Sequence, residues 1–186
     1  MQRIPFLRIF ADGRRAPGFI FRLFLSYALW KGYVALTYLI PALNQARLDV
    51  NQWLGQANVF ALAAVASVFG ETGVRQQGIA IYLEGTRGLA IEDHCLAIPA
   101  SVIFGLLVLF FPGPARHKAW FLPAGLVLVQ ASNLFRLAGL MFMQRYAGAS
   151  FYTFNHSYTY VVITYGLIFL LLVGWMRFAA RQELGS

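Results

Sequence analysis

The chain has 186 residues, 59% of them hydrophobic and only 12% charged, with a formal net charge of +8 and a mean hydropathy of +0.62. A soluble domain of this length needs a more polar surface, and the apolar residues fall in long runs, as in chains whose solvent is a bilayer. The basic residues stand at the ends of those runs and not in one patch, which fits the positive-inside rule better than a nucleic-acid surface.

Residues 1–18 read as a basic cytoplasmic segment, with Arg3, Arg8, Arg14 and Arg15, and with Pro5, Gly13 and Pro17 interrupting any helix. The first apolar run follows that stretch without a small-residue cleavage site, so an uncleaved membrane helix is predicted over residues 19 to about 43. Arg22 snorkels at its inner end, Lys31 lies deeper and needs a partner or a bundle-facing position, and Pro41 marks the far end. Residues 44–70 are mixed. Val59 to Phe69 is apolar, but Arg47, Asp49, Asn51, Gln52, Gln56 and Asn58 precede it. That pattern suits a span or an amphipathic helix at the interface.

Glycines then punctuate two β-prone runs, Ile79-Ala80-Ile81-Tyr82 and Leu89-Ala90-Ile91, with Leu83 to Thr86 and Arg87 as the connecting turn. This predicts a hairpin, which must lie outside the hydrocarbon or be buried in protein. Three further apolar runs follow, at about 96–111, 119–143 and 157–178. If 44–70 does not cross, nine of the 15 basic residues fall inside, four outside, and Lys31 and Arg136 within spans. If it crosses, the basic 112–118 loop and the C-terminal arginines move outside, against the positive-inside rule. The expected fold is therefore an all-α membrane protein: about four transmembrane helices, one interfacial or re-entrant helix, and a small extracytoplasmic β-hairpin. Residues 19–178 form the membrane domain, residues 179–186 a cytoplasmic tail, and both termini face the cytoplasm from the cell (inner) membrane.

With that topology Cys95, Arg136 and His156, far apart in sequence, share one depth at the outer face. Cys95 is the only cysteine, which leaves no internal disulfide and no cysteine-based metal cluster. Its position at the start of a helix, next to a cation, favours the thiolate that attacks a carbonyl. His156 takes the thiol proton and returns it to a leaving amine. A guanidinium in a span is costly unless it has a task, and binding an oxyanion or a carboxylate suits Arg136. Asn133 is one helical turn earlier on the same face and orients Arg136, while Asn155 positions His156. Blander readings stand beside these: Cys95 as apolar packing, His156 as a capping residue, and Arg136 paired with Glu92 or Asp93. His94 ranks below His156 as the base because sequence neighbours point apart, and His117 falls on the opposite side of the membrane. A zinc site from His94, Cys95 and His156 lacks recognisable ligand spacing, so no metal or other cofactor is expected.

The residues Ile91-Glu92-Asp93-His94-Cys95, then Asn133-Leu134-Phe135-Arg136, then Phe154-Asn155-His156, resemble the pattern of the exosortase/archaeosortase family of membrane-embedded cysteine transpeptidases. Phe69-Gly70, the stretch from Gly73 to Gly78 and the loop from Gly113 to Trp120 resemble short bacterial members, and the likeness covers roughly residues 45–178. The family often has Cys-Ser-Gly where this chain has Cys95-Leu96-Ala97. The resemblance implies a secreted protein substrate with a C-terminal sorting tail, cut through a thioester that an amine or water then resolves. The tail's own helix would dock in the bilayer against small residues such as Gly125, Ala131, Ala138 and Gly139. Two other classes remain: a membrane scaffold that kept the fold, suggested by Leu96 and Ala97, and a small transporter, suggested by Lys31 and Arg136.

Overall fold

The computed structural model describes residues 16–147 and 160–183. Helix α1, Ala16–Leu39, ends earlier than predicted, because Pro41 does two things. It pushes Ile40 into extended backbone (φ −117°, ψ 103°) and it opens the next helix, where its missing N–H is no loss. The mixed stretch that follows is helix α2, Pro41–Val68. It buries Asn51, Gly55, Asn58, Val59, Leu62 and Ala66, spaced as one face of a helix, and exposes Trp53 and Phe60.

The predicted hairpin is present as β2, Ala80–Tyr82, and β3, Leu89–Ala90, with Ile81 opposite Leu89. A further strand, β1, Arg75–Gln77, joins them in an antiparallel sheet of order β1-β2-β3, with Gln77 opposite Ala80. All three β1 residues are exposed, so the apolar alternation that signals a strand is missing there. The two-residue link Gly78-Ile79 has Gly78 at φ +59°, the sign that the favoured tight hairpin turns demand.

After the sheet, a 3-10 turn at Asp93–Cys95 leads to α3, Ile98–Phe110, then α4, Ala115–Tyr146, and α5, Tyr160–Glu183. Among the described residues three helices are long and apolar enough to cross a membrane, at Gly18–Leu39, Ala115–Tyr146 and Val162–Ala179. The expected span at 96–111 is only 13 residues of helix, because residues 95–97 are spent on a turn. Helix α2 does not reach the hydropathy of those three helices.

Two apolar clusters organise the packing. One joins α2, the sheet and the C-terminal half of α4 through Leu62, Ile81, Leu89, Ile91, Leu137 and Leu140, and it encloses Cys95 and Leu96. The other joins α3, α4 and α5 through Phe104, Leu107, Val129, Leu172 and Trp175. Polar contacts tie the sheet to the last turn of α4. The Gln144 amide donates to the Gly88 carbonyl (3.0 Å), Arg145 donates to the Glu84 carbonyl, and Glu71 takes both Arg145 (3.4 Å) and the Tyr146 hydroxyl (2.5 Å). The thiol thus lies beneath a sheet clamped to one end of the helical bundle.

Candidate active site

Cys95 is 1% exposed and closes the 3-10 turn. Its N–H donates to the Glu92 carbonyl (2.7 Å), and Leu96 N–H makes a longer bond to the Asp93 carbonyl (3.4 Å). The expectation that Cys95 opens a helix is corrected: Cys95 ends the 3-10 turn, and α3 starts at Ile98 with Pro99 in its first turn. Between them Ala97 is left-handed, φ 54° and ψ 21°, the one non-glycine residue with positive φ among the described residues. That conformation costs about 1–3 kcal/mol and persists only where the surroundings impose it.

Those surroundings are on α4. The Asn133 amide donates to the Cys95 carbonyl at 2.7 Å, and its oxygen accepts from Arg136 Nη1 at 3.4 Å. A carbonyl only accepts, so this bond fixes which end of the Asn133 amide faces the turn. The Arg136 guanidinium is close enough for its charge to favour the Cys95 thiolate. Asn133 and Arg136 are 0% and 6% exposed. Cys95, Asn133 and Arg136 therefore form one buried constellation, as their spacing predicted for the two α4 residues. Burial pushes the thiol above its ordinary value; the charge of Arg136 pulls it down, but burial prevails. Forming the attacking thiolate therefore calls for a proton acceptor as well as a cation. His156 and Asn155, the residues expected to supply and position that acceptor, lie outside the described residues.

The acids expected as alternative partners of Arg136 are engaged elsewhere. Asp93 pairs with Arg47 of α2 (2.7 Å), whose other terminal nitrogen donates to Asn44 (3.0 Å), and Glu92 stands 3.7 Å from His94. The His94 side chain is 61% exposed while its neighbour Cys95 is buried, so the two do point apart. His117 packs edge-on against Phe178 at the opposite end of α4. Lys31 is on the exposed face of α1 and has the Tyr27 ring as its partner at 5.7 Å, the first of the two expected arrangements.

A cleft of about 320 Å³ opens next to the turn that carries Cys95, although Cys95 itself does not line it. Trp30 and Tyr33 of α1, Arg47 of α2, and Asp93, His94 and Pro99, which flank Cys95 on both sides, line it. The chain was compared with protein families, curated proteins and solved structures, and it matches none of them. The small residues of α4 divide into two groups. Gly125 is a packing glycine, since a Cβ there would meet Phe104 at 2.3 Å. Ala131, Ala138 and Gly139 line an apolar groove of about 400 Å³ between α2 and α4, and a Cβ at Gly139 would meet nothing within 4 Å.

Sequence reasoning missed Gln130. Its amide donates to the Leu96 carbonyl (3.2 Å) and to Ser101 Oγ (3.1 Å). The signal was present: Gln130, Asn133 and Arg136 recur every three residues within an apolar helix, a polar stripe that the bilayer penalises unless it has partners.

Proposed function

We propose that the chain is a membrane-embedded cysteine peptidase or transpeptidase of the exosortase/archaeosortase type, acting on secreted proteins that end in a sorting tail. The observation that carries this reading is the buried Arg136 beside Cys95, with Asn133 donating to the Cys95 carbonyl and accepting from Arg136. Packing alone does not call for a cation on a cysteine. The left-handed Ala97 adds support, because it occupies the position where the family pattern carries glycine, the residue that takes such a φ without strain.

Lengths and charges support a placement at the outer face. At 1.5 Å per residue α4 is about 48 Å long, against a hydrocarbon core of about 30 Å. Counted from Ala119, just past Arg116 and Lys118, about 20 residues cross that core and end near Ala138. Arg136 then sits at the outer edge, and the excess of α4 carries the sheet above it. Helix α3, about 20 Å long from the same inner loop, stops short of the outer surface. The turn bearing Cys95 fills the difference. On this reading α1, α3, α4 and α5 cross, and α2 lies at the interface.

In the reaction the thiol proton passes to His156, and the sulfur attacks the substrate carbonyl carbon, forming a C–S bond and an oxyanion that Arg136 stabilises. Collapse breaks the C–N bond, and His156 returns the proton to the departing amine, leaving a thioester. An acceptor amine or water then attacks the thioester, giving a new amide or an acid and restoring the thiol. The test is co-expression of a tail-bearing secreted protein with wild type, Cys95→Ala, Arg136→Ala and His156→Ala. Each variant is expected to lose processing, and equal processing by Cys95→Ala would sink the proposal. The near-complete burial of the thiol favours a second reading, a silent scaffold of the same fold. Rapid labelling of Cys95 at neutral pH that depends on His156 would count against that alternative.

A further inference from the structure

We propose that Gln130 is a positioning residue for Cys95: with Asn133 it pins two consecutive carbonyl oxygens to α4 and so sets the direction of the turn that carries the sulfur. The two bonds are Asn133 to the Cys95 carbonyl (2.7 Å) and Gln130 to the Leu96 carbonyl (3.2 Å). Leu96 is 1% exposed and Ala97 0%, so water does not replace these donors.

The consequence follows from peptide geometry. In a trans peptide the C=O and the following N–H point in opposite directions. Holding the Cys95 and Leu96 carbonyls against α4 turns the N–H groups of Leu96 and Ala97 away from it. It also sets the backbone in an αR–αL succession, with Leu96 at φ −90° and Ala97 at φ 54°. Alanine does not hold that succession by itself. Two side-chain amides acting on adjacent carbonyls over-determine it, and the Gln130 bond to Ser101 anchors the same amide to the first turn of α3. Asn133 serves Arg136 as well, whereas Gln130 touches neither the sulfur nor the guanidinium. It acts through the Leu96 carbonyl, by keeping the sulfur facing Arg136.

This inference deepens the reading of Cys95 as a nucleophile, and its catalytic meaning rests on that reading; its test needs no substrate. The full-length protein in lipid nanodiscs is alkylated with iodoacetamide over a range of pH, and Cys95, the single thiol, reports directly. Gln130→Met keeps side-chain length and removes the donor. The control is Gln144→Met, which removes an equivalent amide-to-carbonyl bond (to Gly88, 3.0 Å) at the sheet. Gln130→Met is expected to move the rise of the pH–rate profile to higher pH, because a sulfur that loses its cation stays buried. Alkylation at neutral pH should slow by up to the about 4- to 20-fold that loss of the cation produces, and Gln144→Met should leave the profile in place. An unchanged profile in Gln130→Met overturns the proposal even if the protein melts earlier, since a purely structural bond predicts that result. Equal shifts in both variants overturn it as well. If Gln130→Met does not fold, Gln130→Asn, with its amide one methylene short, carries the same expectation. A Cys95→Ala protein that still processes tails would end the functional reading without touching this one.

Discussion

Replacing Arg136 with Met keeps an unbranched side chain and removes the cation from the Cys95 sulfur. A hydrogen bond to a charged group is worth about 1.5–3 kcal/mol. Its loss lowers the thiolate population about 10- to 150-fold at a fixed neutral pH. A less stabilised thiolate is also a better nucleophile, and a Brønsted coefficient of about 0.4–0.5 returns nearly half of that exponent. Alkylation of Cys95 by iodoacetamide should therefore fall about 4- to 20-fold at neutral pH. Arg136→Lys should fall in between, since it keeps the charge but not the planar fork. The direction in pH follows from burial, which holds the folded thiol above its ordinary value. The rate climbs on the alkaline side of the usual thiol range, and Arg136→Met moves that climb further alkaline. Stability carries the same sign. The folded thiol keeps its proton to higher pH than the unfolded one. This group supports folding below the unfolded value, and that support is lost as pH rises through the folded one. Mass-spectrometric labelling across pH measures the effect. Equal rates and an unmoved profile would show that the guanidinium does not act on the sulfur.

Two further predictions concern backbone and packing. Ala97→Gly relieves about 1–2 kcal/mol of left-handed strain. The freer unfolded chain offsets about 0.5–1 kcal/mol, and the lost buried methyl about 0.8 kcal/mol, so the melting temperature in detergent should barely change. Ala97→Val places a β-branched residue at φ 54° and should cost about 2 kcal/mol or more; a tolerated valine would contradict the assigned turn. Gly125→Ala drives a Cβ to 2.3 Å from Phe104 and should destabilise by about 1–3 kcal/mol. Gly139→Ala, inside α4 with nothing within 4 Å, should stabilise by about 0.5–1 kcal/mol. Comparable melting of the two variants would argue against the α3–α4 packing.

Much of the framework was legible in the chain because it is encoded locally. Runs of apolar residues imply a bilayer, a period of two separated by glycines implies the β2–β3 hairpin, and Asn133 and Arg136 at a spacing of three share a helical face whatever surrounds them. Local errors had local causes. Pro41 starts α2 as well as ending α1, and Pro99, in the first turn of α3, already marked a helix that begins after Cys95. Strand β1 carries no apolar alternation and forms because a tight turn delivers it to β2.

The site itself is a different matter. Sequence alone determined that one cysteine, in a membrane protein, follows a glycine-punctuated hairpin and precedes an apolar helix that is followed by a buried-polar stripe. Only the tertiary structure decided what that cysteine experiences. Its carbonyl is held by Asn133, 38 residues away, and its thiol feels the charge of Arg136, while α2 and the sheet remove it from water. The state of a thiol depends on the balance between burial and a nearby cation. Both are set by which distant segments pack around it, and neither is written in the residues on either side.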